Sequence, residues 1–187
     1  MCLIPGILGF ITCCIFDLNK VHWHSKFLNH FFTLGSLLLA LSTVLAVLQS
    51  NFNLLIDSFE WYRLGFLAGT ILSGIALIYT LFFALPFENT YNTTDTLSLI
   101  DSGAYALCRH PGFWPFGLFY LFLSLLLSNP LVGYAAIIYS ICNFIYIYIQ
   151  DYYIFPLYIK GYDNYKKTVP FLIPTRNSLR RALNLNF

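Results

Sequence analysis

Arg109, His110 and Pro111 stand together between two long apolar stretches, and the chain's chemistry is concentrated around them. A guanidinium grips a carboxylate or phosphate with two parallel donors, and an imidazole changes charge near neutral pH. Charges held beside a bilayer are costly, so a chain that keeps them there has a use for them. A glycine-containing turn, Ser102-Gly103-Ala104-Tyr105, precedes the three residues, and Gly112-Phe113-Trp114-Pro115-Phe116-Gly117 follows them. A second polar set, Ser140, Asn143, Gln150 and Asp151, falls on one side of a later apolar run. Polar groups at membrane depth must face protein or a water-filled cavity, so this side points inward. Ser140 and Asn143 read as contacts between helices, and Gln150 and Asp151 as functional partners of Arg109 and His110.

The elements that position these groups follow from composition. Of the 187 residues, 58% are apolar, 19% aromatic and only 10% charged, and the mean hydropathy is +0.69. Soluble domains carry about a quarter charged residues, which excludes a soluble core. A membrane helix takes about 20 apolar residues, and five runs approach that length: residues 3–16, 31–48, 64–87, 112–128 and 131–156. The expected fold is all-α, a polytopic membrane protein of about five transmembrane helices forming one domain over residues 1–187. Asn129-Pro130 leaves almost no link between the fourth and fifth runs, which forces an antiparallel hairpin. Gly65 and Gly69 offer a small face for the close approach of another helix. The first run lacks the basic start of a signal peptide and reads as a membrane helix, with a retained signal-like segment as the second reading.

Orientation follows from the cations. With five spans, the first link, the third link and the tail share one side. That side carries Lys20, Lys26, Arg109, Lys160, Lys166, Lys167, Arg176, Arg180 and Arg181, and the other carries Arg63 alone. The C-terminus is therefore expected in the cytoplasm and the N-terminus outside or in the lumen. Asn92-Thr93-Thr94, a glycosylation sequon, then falls on the cytoplasmic side, where no glycan is expected. The net charge of +2 carries no footprint of nucleic-acid binding. The five cysteines lack paired spacing and read as small buried hydrophobes. Cys108, beside Arg109, reads as a packing residue. No metal site is expected: His22, His24 and His30 lack the four-residue spacing and the nearby acid, and with Trp23 read as an interfacial belt. The cationic tail reads as a contact with anionic lipid.

The ordered set of motifs resembles a family. Ser102-Gly103-Ala104-Tyr105, Arg109-His110-Pro111, the Asn129-Pro130 hairpin, the polar pair Gln150-Asp151, Tyr162-x-x-Tyr165, Val169-Pro170 and Ile173-Pro174 are similar to the isoprenylcysteine carboxyl methyltransferases and related phospholipid methyltransferases. The resemblance covers about residues 94–174. It implies an integral-membrane enzyme that binds S-adenosylmethionine at the cytoplasmic face and methylates a lipid-like, prenylated or amphipathic acceptor from the bilayer. It assigns cofactor contacts to Leu97, Ser98, Leu99, Ile100, Tyr105, His110, Pro111, Gly112, Phe113 and Gln150. Arg109, His110 and Asp151 are the candidate catalytic residues, and Asp151 or Gln150 the candidate acceptor for the cofactor's ammonium. Aromatic faces at Tyr105, Phe113 and Trp114 suit a sulfonium.

Departures from the family pattern sharpen the expectation. The family's Glu-Glu pair is Gln150-Asp151 here, a His before the turn is Leu97, and a Phe-Gly pair is Tyr158-Ile159. Where prenylcysteine-type members carry an Arg, one turn before the acid pair, this chain has Tyr146 and Ile147. Two alternatives stand beside the methyltransferase: an NADPH-dependent membrane reductase of the sterol type, similar around the His-Pro stretch, and a degenerate member that binds without catalysis. Neither the methyl acceptor nor the oligomeric state is legible in the sequence.

Overall fold

The structure, a computed structural model, describes residues 1–50, 60–83, 99 and 101–183. It is all-helical, 78% helix, with no strand among the described residues. Five apolar helices form the bundle: α1 (Ile4–Val21), α2 (Phe31–Leu48), α3 (Tyr62–Ile78), α4 (Phe113–Leu127) and α5 (Pro130–Ile149). Two short polar helices follow, α6 (Tyr162–Thr168) and α7 (Arg176–Ala182). Four stretches, Ile4–Val21, Leu28–Leu48, Tyr62–Leu81 and Pro130–Tyr158, are long and apolar enough to cross a membrane. Their outer faces carry exposed Leu37, Leu41, Leu72, Ile75, Ile137 and Ile141, the surface of an integral membrane protein. The expected fourth span is shorter than the others: α4 has 15 residues, about 22 Å of helix against a hydrocarbon core of about 30 Å.

The first helix also runs further than its apolar run, past Phe16 to Val21. Asp17 and Asn19 do not end it because both find partners. Asn19 Nδ2 donates to the Ser25 carbonyl and to Asn29 Oδ1, each at 2.9 Å, and its own Oδ1 accepts from Ser25 N at 2.8 Å. Helix α1 then packs on α2 at a pair of glycines. A Cβ on Gly35 would lie 2.6 Å from the Gly9 carbonyl oxygen, so the two backbones touch there. Gly69 on α3 likewise leaves room for the Phe122 ring of α4, 2.7 Å from where its Cβ would be. Gly65, expected on the same contact face, has nothing within 4 Å.

The α4–α5 hairpin forms as the Asn-Pro pair requires. Asn129 Oδ1 caps α5 by accepting from Leu131 N at 2.8 Å, and Pro130 fills a first-turn position that needs no N–H. Asn129 Nδ2 reaches across to the Ala46 carbonyl (3.1 Å) and Ser50 Oγ (2.7 Å), fixing the hairpin to the end of α2. Arg63 sits at this same end, with Nη1 3.5 Å from the Leu126 carbonyl. A cation beside the carbonyl end of α4 complements that helix's dipole.

At the opposite end α5 changes its winding. Pro156 has no N–H for the Tyr152 carbonyl, and its ring would strike that carbonyl in a regular helix. The chain meets this with a widened turn, Gln150–Ile154, and a last helical turn, Phe155–Tyr158. Such turns displace side chains from the regular helical progression. Here Gln150 points to α1 and Asp151 to the Arg109 segment. Helix α3 ends in a similar widened turn, Tyr79–Phe83.

Candidate functional site

Arg109 reaches its place on a turn that only glycine permits easily. Gly103 has φ +58° at the start of a one-turn helix, Ala104–Leu107, a conformation in which a Cβ is strained. Extended backbone follows at Cys108. Arg109 N then donates to the Pro170 carbonyl at 2.9 Å and His110 N to the Phe171 carbonyl at 3.3 Å, so this strip lies along the C-terminal segment.

The Arg109 guanidinium holds Asp151 in a two-pronged grip, with Nε to Oδ1 at 2.7 Å and Nη2 to Oδ2 at 2.9 Å. Its remaining nitrogen, Nη1, donates to the Val169 (2.6 Å) and Lys166 (3.2 Å) carbonyls. The Tyr162 hydroxyl donates to Asp151 Oδ1 at 2.6 Å, and Lys166 Nζ to the Asp151 carbonyl at 3.1 Å. The Tyr165 hydroxyl donates to the Tyr105 carbonyl at 2.6 Å. Tyr105 in turn donates to the Thr80 carbonyl at 3.2 Å. Every motif after the hairpin up to Pro170 thus meets the Tyr105 to His110 strip through one buried carboxylate and its neighbours. Burial works against the charge on Arg109, and the paired Asp151 more than restores it, raising the pKa. Burial pushes Tyr162 and Tyr165 up, with Asp151 adding to both, so they stay protonated donors. Burial pushes the Cys108 thiol up as well, which suits a packing role.

His110 differs from its neighbour. Its ring stacks on Phe155 (5.9 Å between centroids, 12° between planes) and meets Phe171 edge-on at 5.2 Å. Nε2 lies 3.4 Å from Asp151 Oδ1, yet the geometry forms no hydrogen bond to a described residue. Burial pushes its pKa below the ordinary histidine value, and Arg109 adds to this against the pull of Asp151. The ring is therefore neutral at pH 7.

Beside this assembly lies a cavity of about 290 Å³ between α1, α2, the end of α3 and the far ends of α4 and α5. Gly9, Phe10, Gly35, Leu39, Leu77 and Phe116, from the apolar helices, form part of its wall. Leu99, Tyr105, His110, Pro111, Gly112, Phe113 and Gln150, all expected cofactor contacts, line the cavity, as does Arg109. Leu97, Ser98 and Ile100 lie outside the described residues, and so does the Asn92-Thr93-Thr94 sequon. Asp151 is 0% exposed and stands behind the wall, where it holds Arg109 and Tyr162 in place. Ser140 faces Gly117 on α4, as a helix contact would. Asn143 lines the cavity and makes no hydrogen bond to a described residue. His22 stacks on Tyr153 and shares a 2.9 Å hydrogen bond with its hydroxyl.

Asp17 is a further site residue that the apolar pattern does not mark. This carboxylate, 8% exposed, faces the cavity from α1 and accepts from the Tyr146 hydroxyl at 2.6 Å and Gln150 Nε2 at 2.7 Å. Gln150, read as the weakened member of an acid pair, therefore supports a second acid from another helix. The signal was there: Cys13, Asp17 and Lys20 recur at spacings of four and three, which continues one helix face past Phe16.

No protein-family model, curated protein or solved structure matches this chain. The functional reading rests on the residues and their arrangement.

Proposed function

We propose that this protein is an S-adenosylmethionine-dependent methyltransferase acting on a lipid-like acceptor, in a five-span arrangement with its polar end and C-terminus at the cytoplasmic face. The observation that carries the reading is the cavity. Residues to which the family resemblance gives cofactor contacts gather around one chamber, and apolar residues of α1, α2 and α4 line the same chamber. The volume, about 290 Å³, is close to the lower end of small-molecule sites. An orphan polar atom also suits a ligand: His110 Nε2 is buried without a hydrogen bond among the described residues.

A sulfonium methyl donor supplies an electrophilic carbon: the acceptor's lone pair forms the new bond while the S–C pair returns to sulfur. The protein's share of this reaction is positioning in a dry site. Tyr105 and Phe113 line the chamber, and aromatic rings suit a cation. Neutral His110 is suited to take a proton from an acceptor that carries one. Arg109 and Asp151 fix the wall by joining the Tyr105 to His110 strip to the C-terminal segment. On this reading they are positioning residues.

The test is transfer of a labelled methyl group. Purified protein in native lipid, given methyl-labelled S-adenosylmethionine, is expected to move label into the organic-soluble fraction. His110→Ala should reduce that label at least tenfold. Label that stays wholly water-soluble, with native lipid present, contradicts the proposal.

A further inference from the structure

Asp17 is a buried carboxylate that its own neighbours leave half satisfied. Both donors, the Tyr146 hydroxyl and Gln150 Nε2, converge on Oδ2. Among the described residues none donates to Oδ1, and no ion pair involves Asp17. Lys20, one turn further along α1, lines the same cavity and attracts Asp17 electrostatically, but it lies beyond ion-pair distance and holds Nζ over the rings of Phe16 (4.6 Å) and Tyr158 (5.5 Å). Asp151 shows what this chain does with a structural acid: it surrounds it with Arg109, Tyr162 and Lys166 and removes it from the cavity. Asp17 has neutral support on one oxygen and a cavity in front of it.

An unpaired carboxylate at membrane depth is expensive. A cationic partner entering the cavity offsets that expense. The rings of Phe10 and Tyr146 line the same space, and aromatic rings suit a cation; those of Phe16 and Tyr158 already hold the Lys20 ammonium. A helix clasp between α1 and α5 would need only an acceptor for Tyr146 and Gln150, and an amide would serve.

We propose that Asp17 is the binding group for a cationic centre, an alkylammonium or a sulfonium, of the ligand that fills the cavity. This deepens the methyltransferase reading and rests on it for one of two sources of that cation: the methyl donor, or the amine headgroup of a lipid acceptor. Gln150 and Tyr146 orient the carboxylate and leave one oxygen for the ligand.

The test uses full-length protein in detergent and two variants. Asp17→Asn keeps an oxygen acceptor for Tyr146 and Gln150 but removes the charge, and Asp17→Glu keeps the charge. Calorimetric titration with S-adenosylmethionine should show at least a tenfold weaker affinity for Asp17→Asn, with Asp17→Glu much closer to the native protein. In a second arm, decylammonium should raise the native unfolding temperature more than decanol does, and Asp17→Asn should abolish the difference. A loss confined to the first arm assigns the cation to the methyl donor, and a loss confined to the second assigns it to a lipid amine. If the native protein fails to bind S-adenosylmethionine, the methyltransferase reading falls, and the decylammonium arm still decides the role of Asp17. Equal behaviour of native and Asp17→Asn protein in both arms, or no native preference for either cation, overturns the proposal. Should Asp17→Asn fail to fold, loss of binding by a folded Asp17→Glu likewise overturns it.

Discussion

At the residue scale, the Arg109–Asp151 pair holds the C-terminal segment against the rest of the protein. Removing one partner leaves a buried charge uncompensated, at a cost of about 3–5 kcal/mol. Asp151→Ala and Arg109→Ala should therefore lower the unfolding temperature in detergent sharply. Arg109→Lys should recover little of it, because a single ammonium cannot serve Asp151, Val169 and Lys166 together. Tyr162→Phe, which removes one hydrogen bond to Asp151, should cost about 1–3 kcal/mol. Unfolding temperatures of all four variants equal to the native value would contradict the clasp. His110 adds a pH dependence. Its pKa is depressed in the fold below the ordinary 6.5, so the unfolded chain binds the proton more readily. The stability it contributes is present above about pH 6.5 and is lost as the pH falls below it. Thermal unfolding followed from pH 7.5 to 5.5 should show native stability declining, and His110→Asn should flatten the decline. An identical slope for both proteins would show that the histidine is not buried neutral. The pairing of Arg109 with Asp151 was legible in the sequence because polar residues in an apolar chain are few and must find one another. The difference between the two acids was not. Where Gln150 and Asp151 point depends on the widened turn at Gln150–Ile154, and that turn on how Pro156 is accommodated.

At the scale of elements, the apolar runs announced the helices, and the ends were set by contacts that hydropathy does not carry. Helix α1 continues to Val21 because Asp17 and Asn19 are bonded to other segments. Apolar length alone could not reveal that. The Asn129-Pro130 hairpin was legible, since its residue types dictate both the cap and the first turn. The glycine contact was legible in kind but not in place. Gly9 and Gly35, on different runs, bring two backbones together, whereas Gly65 lies open. Gly35→Leu should therefore destabilise the protein by roughly 1–3 kcal/mol or more through overpacking against backbone. Gly65→Ala should leave stability unchanged or slightly raised. Denaturation in detergent compares them, and equal losses for the two would contradict the assigned crossing. Asn129→Ala removes a helix cap together with the bonds to Ala46 and Ser50. It should cost about 1–2 kcal/mol from the cap alone, with a native-like midpoint as the contrary result.

At the scale of the whole molecule, the protein is a membrane bundle with two unlike ends. One end is closed by Asn129 and carries Arg63; the other gathers Lys20, Arg109 and His110 around a cavity also lined by residues of the apolar helices. On the proposed reading, a polar ligand would enter from the membrane surface and an apolar one from within the bilayer. The central claim is that the polar ligand is S-adenosylmethionine, and equilibrium binding tests it most directly. Calorimetric titration of the purified native protein with S-adenosylmethionine, beside a parallel titration with NADPH, should give saturable binding near one per chain for the first and none for the second. Binding of NADPH alone, or of neither, would contradict the account.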